Sequence, residues 1–383
     1  MKNIKPLICV CLLSAMLMAS QALSPGIPRL IELYGVSESA VSMSITLPYL
    51  ISIPFTLLAG SLARRYPLKK LLVTGAVIIC VTGLLPFFIT NFTAVLIIRA
   101  CMGIGLGLLF TLTPSMAPEY YPEGSLRNLT IGMQSAWAGS GGFVFNILSG
   151  YLVQGEPRSI YLVYLLCILF TLLVCILLPS RPHQKPEKKE TSSSFAASSL
   201  FTAFLTFLFL CAGMTLSLSI SVFLTEQGLG SSVEAGYATS AYSAAAFAFG
   251  CLYALISKIL RKNAILAACL VSITGMLLCV LSGNLILIYL GAALIGAGLS
   301  LFMPSCVNRI IHTTPAEAVT MSIAVMMVGS SVGQTFSGTI INPVSELFSP
   351  QSGTRFFVSA AVFALTALLS LISFPQKKKT KAE

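Results

Sequence analysis

Arg99 is the residue in this sequence whose position most demands a chemical reason. It is the one charged side chain well inside an apolar stretch, with uncharged runs at 71 to 98 on one side and 100 to 118 on the other. A charge placed in hydrocarbon is costly, so its default reading is a role in a substrate or ion path. There it would attract an anionic or polar substrate group, or interact with a proton-carrying partner. A plainer role is also open. If its helix starts near Thr93, Arg99 lies about 9 Å below the membrane surface at 1.5 Å per residue, shallow enough for the side chain to snorkel.

Neutral polar side chains give a second set of candidates, because amides are expensive against lipid and collect where helices face water or one another. Gln21 falls in the first span, Gln134 and Asn146 in the fifth, Asn308 at the end of the tenth and Gln334 in the eleventh, while the third, sixth, ninth and twelfth spans hold no Gln or Asn. Trp137, the sole tryptophan, falls mid-span in the fifth, away from the interfacial belt where Trp concentrates. Tyr242 in the eighth is a weaker case of the same kind. For each of these, substrate contact and helix packing are both open.

The chemistry excluded is as informative. The sequence contains no aspartate, and its glutamates avoid the depth of the spans: Glu32, Glu226 and Glu346 all fall near outer helix ends. A relay from Arg99 to Glu32 or Glu226 is the arrangement that would supply proton coupling; without it the protein would be a facilitator, an anion exchanger or a symporter for another ion. The 11 cysteines sit in apolar spans without a C-x-x-C pair, and the two histidines are His183 and His312. No metal, cofactor or disulfide framework is indicated, and no catalytic cluster is visible. The Gly103, Gly105, Gly107 run lies inside an apolar helix with no preceding strand, which points to close helix packing rather than a phosphate loop.

The elements that position these residues follow from where charge is missing. Of 383 residues, 56% are hydrophobic and 9% charged, against roughly a quarter charged in soluble domains. Eleven uncharged runs separate the charges, most longer than the roughly 20 residues that cross a bilayer as helix. The run from 263 to 308 is about two spans long and is broken by Ser282-Gly283-Asn284, so twelve helices are expected. With the N-terminus inside, 19 of the 23 Lys and Arg fall in cytoplasmic segments, Arg29, Arg158 and Arg355 fall outside, and Arg99 is in a span. That bias places both termini in the cytoplasm. The net charge of +11 therefore reports topology, not a nucleic-acid partner. Lys2 and Lys5 ahead of an apolar run and Ala19-Ser-Gln-Ala22 could imitate a secretory signal, but cleavage would reverse every later loop, so the segment is kept as the first span.

Residues 181–199, RPHQKPEKKETSSSFAASS, read as a flexible cytoplasmic linker between an N-terminal six-helix bundle, 1–180, and a C-terminal bundle with a short basic tail, 200–383. Three matches at offsets of 190 to 193 indicate duplication: Gly60 with Gly250, Gly103-Ile-Gly105-Leu-Gly107 with Gly296-Ala-Gly298-Leu-Ser300, and Gly139-Ser140 with Gly329-Ser330. The expected fold is an all-α integral membrane protein of twelve spans in two pseudo-symmetric bundles.

On these residues the chain resembles a twelve-helix major facilitator superfamily transporter, closest in motifs to bacterial efflux-type members. The family's loop pattern G-x-L-A-D-R-x-G-R-R is met by Gly60, Leu62, Ala63, Arg65 and Lys69, while Arg64 stands in place of Asp and Pro67 in place of Gly. The pattern R-x-x-Q-G-x-G is met by Arg99, Gly103 and Gly105, with Met102 in place of Gln. The antiporter pattern of the fifth helix is poorly met, since Phe145-Asn146 replace Gly-Pro. The resemblance implies a cell-membrane protein, monomeric, that moves a small organic solute by alternating access, with Gly60, Arg65 and Lys69 in a cytoplasmic gating loop. Gln21, Arg99, Gln134, Trp137, Asn146, Tyr242 and Gln334 would line the substrate path. Export of a neutral, amphipathic or anionic compound fits, because organic cations would want a buried carboxylate; protons are the candidate coupling ion. Uptake of a metabolite, or a non-transporting sensor, are the alternatives.

Overall fold

A computed structural model of the chain describes residues 4–63, 65–121, 125–179, 197–260, 263–314 and 319–371. The expected linker lies almost entirely outside the described residues, as do Arg64, His183 and the basic tail. Among the described residues there is no strand. Thirteen α-helices occur: α1 Lys5–Met16, α2 Ile27–Tyr34, α3 Glu38–Ala63, α4 Leu68–Leu84, α5 Phe92–Tyr120, α6 Ser125–Leu152, α7 Leu165–Leu177, α8 Ala197–Glu226, α9 Ser232–Leu260, α10 Ala264–Leu281, α11 Leu285–Thr313, α12 Val319–Glu346 and α13 Gly353–Ser370. Short 3-10 segments, Ala19–Gly26 and Pro157–Tyr164, join α1 to α2 and lead into α7.

Among the described residues, nine segments are long and apolar enough to cross a membrane, with α1 and α2 counted as one segment, Lys5–Tyr34. The helices outside that set, α6, α9 and α12, are 28 or 29 residues long. Each of these three contains residues whose side chains fall outside the described ones, so the expected count of twelve rests on length and placement for them.

Helix ends follow local chemistry. Gly35, Gly228 and Gly283 adopt positive φ at turns, a conformation glycine reaches without steric cost. The break expected at Ser282-Gly283-Asn284 is present, and Asn284 Oδ1 accepts from Ile286 N at 2.9 Å to cap α11. Glu234 Oε2 accepts from Ser231 N and Oγ, each at 2.6 Å, and closes the first turn of α9.

Two apolar cores form. One gathers residues between Cys9 and Leu178, with Met214 and Leu218 of α8 added; the other gathers residues between Leu205 and Ala367. Close glycine contacts recur in both. A Cβ on Gly103 would meet Pro48 O of α3 at 2.4 Å and one on Gly105 would meet Gly75 O of α4 at 2.5 Å. In the second half, a Cβ on Gly296 would meet Tyr242 O of α9 at 2.0 Å and one on Gly298 would meet Ala268 O of α10 at 2.8 Å. The repeated glycines therefore do the same packing work in each half. Gly103→Ala is expected to destabilise by about 1–3 kcal/mol through overpacking. Gly155→Ala is the neutral control, since nothing lies within 4 Å of its added Cβ. Thermal-unfolding midpoints of the two variants in detergent check the contrast.

Candidate functional site

The first span does not cross as one helix. Pro25 lacks the N–H that would serve the Gln21 carbonyl, and the chain from Ala19 to Gly26 tightens into a 3-10 segment. Backbone groups freed inside a bilayer need partners from the protein. Arg99 on α5 supplies them. Its Nε donates to Ser44 O of α3 at 2.9 Å, Nη1 to Tyr164 Oη at 2.5 Å and Met102 Sδ at 3.1 Å, and Nη2 to Ser20 O at 2.9 Å and Ser20 Oγ at 3.0 Å. Tyr164 Oη in turn donates to Ala19 O at 2.7 Å, and Ser20 Oγ donates to Ile45 O at 2.8 Å.

A guanidinium has five N–H donors, and here five acceptors meet them. Arg99 is 0% exposed, so it does not snorkel. Nor does it keep a free donor for a solute in this state: it acts as a clasp holding the unwound first span against α3, α5 and the entry to α7. None of its acceptors is a carboxylate. Glu32 is exposed and pairs with Arg29 at 3.3 Å, and Glu226 accepts from Ser352 N at 3.1 Å and from Ser352 Oγ. The structure thus brings neither glutamate to Arg99.

Beside the clasp lies a cluster that joins the two halves. Tyr49 on α3 is 1% exposed, and its hydroxyl has no hydrogen-bond partner of good geometry. Gln21, on the 3-10 segment that packs on both α3 and α9, faces it closely enough to interact, and Tyr242 on α9 lies near enough for its charge to be felt. Gln21 and Tyr242 are both partly exposed. Counting from the helix starts at Glu38 and Ser232, Tyr49 and Tyr242 lie about 15 Å along their helices, the middle of a hydrocarbon layer about 30 Å thick.

The other expected site residues sit around this cluster. Gln134, Trp137 and Gly141 fall on one stripe of α6 by helical spacing, and a Cβ on Gly141 would meet Ala15 O of α1 at 2.4 Å. Gln134 and Trp137 are partly exposed. Asn146 is buried in the seam between α6 and α9, with its Oδ1 unpartnered. Gln334 turns back on its own helix, donating to Ser330 O at 3.4 Å and Oγ at 3.2 Å. Asn308 donates to Tyr253 Oη at 2.9 Å. In the basic loop, Lys69 Nζ donates to Leu178 O at 2.6 Å, tying α4 to the end of α7, and Arg65 is exposed. Gly60 lies in α3, and its surroundings fall outside the described side chains.

Contacts between halves gather at the end where α3 begins. Arg355 on α13 makes a two-pronged ion pair with Glu38, with Nη2 to Oε2 at 3.0 Å. Ser221 Oγ donates to Pro25 O at 2.7 Å, Ser24 Oγ to Ser217 O, and Ser240 Oγ to Phe143 O at 3.0 Å. The Tyr151 and Tyr237 hydroxyls bond across α6 and α9, where Gly150 and Gly236 allow the backbones to close. Tyr49, Tyr164, Glu38 and Arg355 were absent from the sequence-derived candidates. For the two tyrosines a signal existed, since each is a polar tip inside an uncharged apolar run; for the ion pair there was none beyond opposite charge at two helix starts.

A profile of the Major Facilitator Superfamily matches residues 9–232 and 202–383. A major facilitator superfamily multidrug transporter of Aspergillus fumigatus, mfsC, is 22% identical over 161 residues, 42% of this chain and 31% of that protein. An MFS-type transporter of Schizosaccharomyces pombe is 26% identical over 141 residues, 36% of this chain and 27% of that protein. The matched stretch spans about a third of these curated relatives. Among solved structures, a variant of the nucleoside transporter NupG superposes with a TM-score of 0.81 at 13% identity, over 96% of this chain and 99% of that one. The human organic anion transporter MFSD10 superposes with a TM-score of 0.67 at 15% identity, over 96% and 99%. At these identities the structures establish a shared fold.

Proposed function

Because the chain belongs to the Major Facilitator Superfamily, we propose that it is a secondary transporter of the cell membrane that moves a small organic solute by alternating access, both termini being cytoplasmic. The observation that carries this reading is the pairing of a midplane polar cluster, Gln21 with Tyr49 and Tyr242, with a set of cross-half contacts closing one end above it. In the orientation set by the basic loops, the closed end is the outer one, and the state is open toward the cytoplasm. Rocking of the halves would release the Glu38–Arg355 end and seal the other. The chain acts alone, in the bilayer, with the solute as its partner.

Export is the direction favoured, in keeping with the multidrug relative, and the solute is neutral, amphipathic or anionic. Uptake of a metabolite is the second reading, favoured by the full-length superposition on a nucleoside transporter. Protons remain the candidate coupling ion, though neither Glu32 nor Glu226 touches the clasp. Reconstitution into proteoliposomes, with and without an imposed pH gradient, tests all three points. A solute gradient that collapses faster with the protein than without it is expected; no flux under any gradient would end the transport reading, and equal flux with and without the pH gradient would remove the protons.

A further inference from the structure

The central cluster differs from a binding site for charged solutes in one respect that composition alone does not reveal. Among the described residues Arg99 is the one charge well inside a span, and its five donors are spent on Ser44 O, Tyr164 Oη, Met102 Sδ, Ser20 O and Ser20 Oγ. What remains with unused hydrogen-bonding capacity is neutral. Tyr49 is a buried phenol whose hydroxyl has no hydrogen-bond partner of good geometry. Leaving such a group unsatisfied costs on the order of 1–3 kcal/mol, a cost that persists in a native structure where the group has a task in another state or with a ligand. Gln21 offers an amide that both donates and accepts, and Tyr242 offers a second phenol from the opposite half, partly exposed and therefore beside open space. The 3-10 segment that carries Gln21 packs on both α3 and α9, so the three groups converge on the junction of the halves.

We propose that Gln21, Tyr49 and Tyr242 form a recognition site for an uncharged solute bearing hydroxyl, amide or heteroaromatic groups, with Tyr49 and Tyr242 grasping it from the two halves. The proposal rests on the transport reading and narrows it. An anionic solute would need a free cationic donor and a cationic one a carboxylate or a cage of aromatic faces; the described midplane offers neither free charge. A solute with its own donors and acceptors satisfies the stranded phenol, and because the two tyrosines belong to different halves, filling the site also couples solute binding to the relative position of those halves. Trp137 lies within the same bundle on α6, and as the sole tryptophan it reports unfolding without labelling.

The test is a stability screen of the full chain in lipid nanodiscs, read by Trp137 fluorescence during heating. Three probe sets of matched size are compared: nucleosides and polyols, aromatic carboxylates, and quaternary ammonium compounds. The expected result is that uncharged probes raise the unfolding midpoint. Tyr49→Phe and Tyr242→Phe should each weaken the best probe about tenfold, the loss of one hydrogen bond to a desolvated partner, while leaving the ligand-free midpoint of Tyr242→Phe unchanged. Gly155→Ala, outside the cluster and with nothing within 4 Å of its added Cβ, should bind as the parent does. The proposal is overturned if stabilisation comes only from charged probes, if no uncharged probe stabilises, or if the uncharged probes bind both Phe variants as tightly as the parent. A probe that binds with this tyrosine dependence yet is not moved across proteoliposomes would overturn the transport reading and leave the site standing.

Discussion

Arg99→Lys is expected to abolish most transport and to destabilise the protein by about 2–4 kcal/mol, although the charge is retained. Lysine offers three donors on one nitrogen, where arginine spreads five over a planar fork. From one position the ammonium cannot reach Ser44 O on α3, Tyr164 Oη at the entry to α7 and Ser20 O in the first span, all of which Arg99 contacts within 3.0 Å. Hydrogen bonds between neutral groups in membranes average about 0.6 kcal/mol, too little for this effect singly. A charged donor is worth roughly 1.5–3 kcal/mol per bond, and stranding two or three backbone or phenolic acceptors brings the sum to the stated range. Tyr164→Phe should cost less, about 1 kcal/mol, by removing the acceptor of Nη1 and the donor to Ala19 O. The double variant should fall short of the sum of the two, because both act on the same segment. Unfolding midpoints and initial transport rates check the series. If Arg99→Lys keeps both stability and flux of an anionic solute, the arginine serves the substrate and not the broken helix.

Arg355→Glu is expected to shift the protein toward opening of its closed end by about 3 kcal/mol, on the order of a hundredfold in the ratio of the two states. Side-chain exposures of 8% for Arg355 and 19% for Glu38 mark a pair that is substantially desolvated, unlike the Arg29–Glu32 pair at 48% and 66%, whose loss should be worth well under 1 kcal/mol. Reversal replaces the attraction with two carboxylates facing each other. Glu226, which holds Ser352 one turn away, keeps the start of α13 in place, so the new carboxylate cannot swing clear without breaking that cap. The exchange Glu38→Arg with Arg355→Glu should restore closure. A cysteine in place of Ser24 provides the readout: Ser24 is fully buried behind the closed end, so a water-soluble thiol reagent should label it slowly in the parent and exchange backgrounds and fast with Arg355→Glu alone. Equal labelling in all three would show that the ion pair does not hold this end shut.

Much of the fold was legible because hydrocarbon is an unforgiving solvent. Gaps between charges locate spans, the Ser282–Asn284 turn divides the longest of them, and small residues at Gly103, Gly105, Gly296 and Gly298 mark where helices must touch. Arg99, Gln21 and Tyr242 stood out for the same reason: a polar group at that depth needs an explanation. Their explanations were not legible. Tyr164 lies 65 residues from Arg99 and Glu38 lies 317 from Arg355, and no helical period relates positions on different helices. Gln134, Asn146 and Gln334 likewise had two readings, substrate contact and helix packing, and only the packed structure places Asn146 in the α6–α9 seam.

Sequence by itself determined that this chain lives in a bilayer and which few residues are anomalous there, because the cost of burying charge and amide is a property of the residue and its solvent. Tertiary structure alone decided what those residues do. Whether Arg99 meets solute, lipid or protein depends on which acceptors stand within 3.0 Å of five directed donors, and directed hydrogen bonds are settled only when helices far apart in the chain have packed.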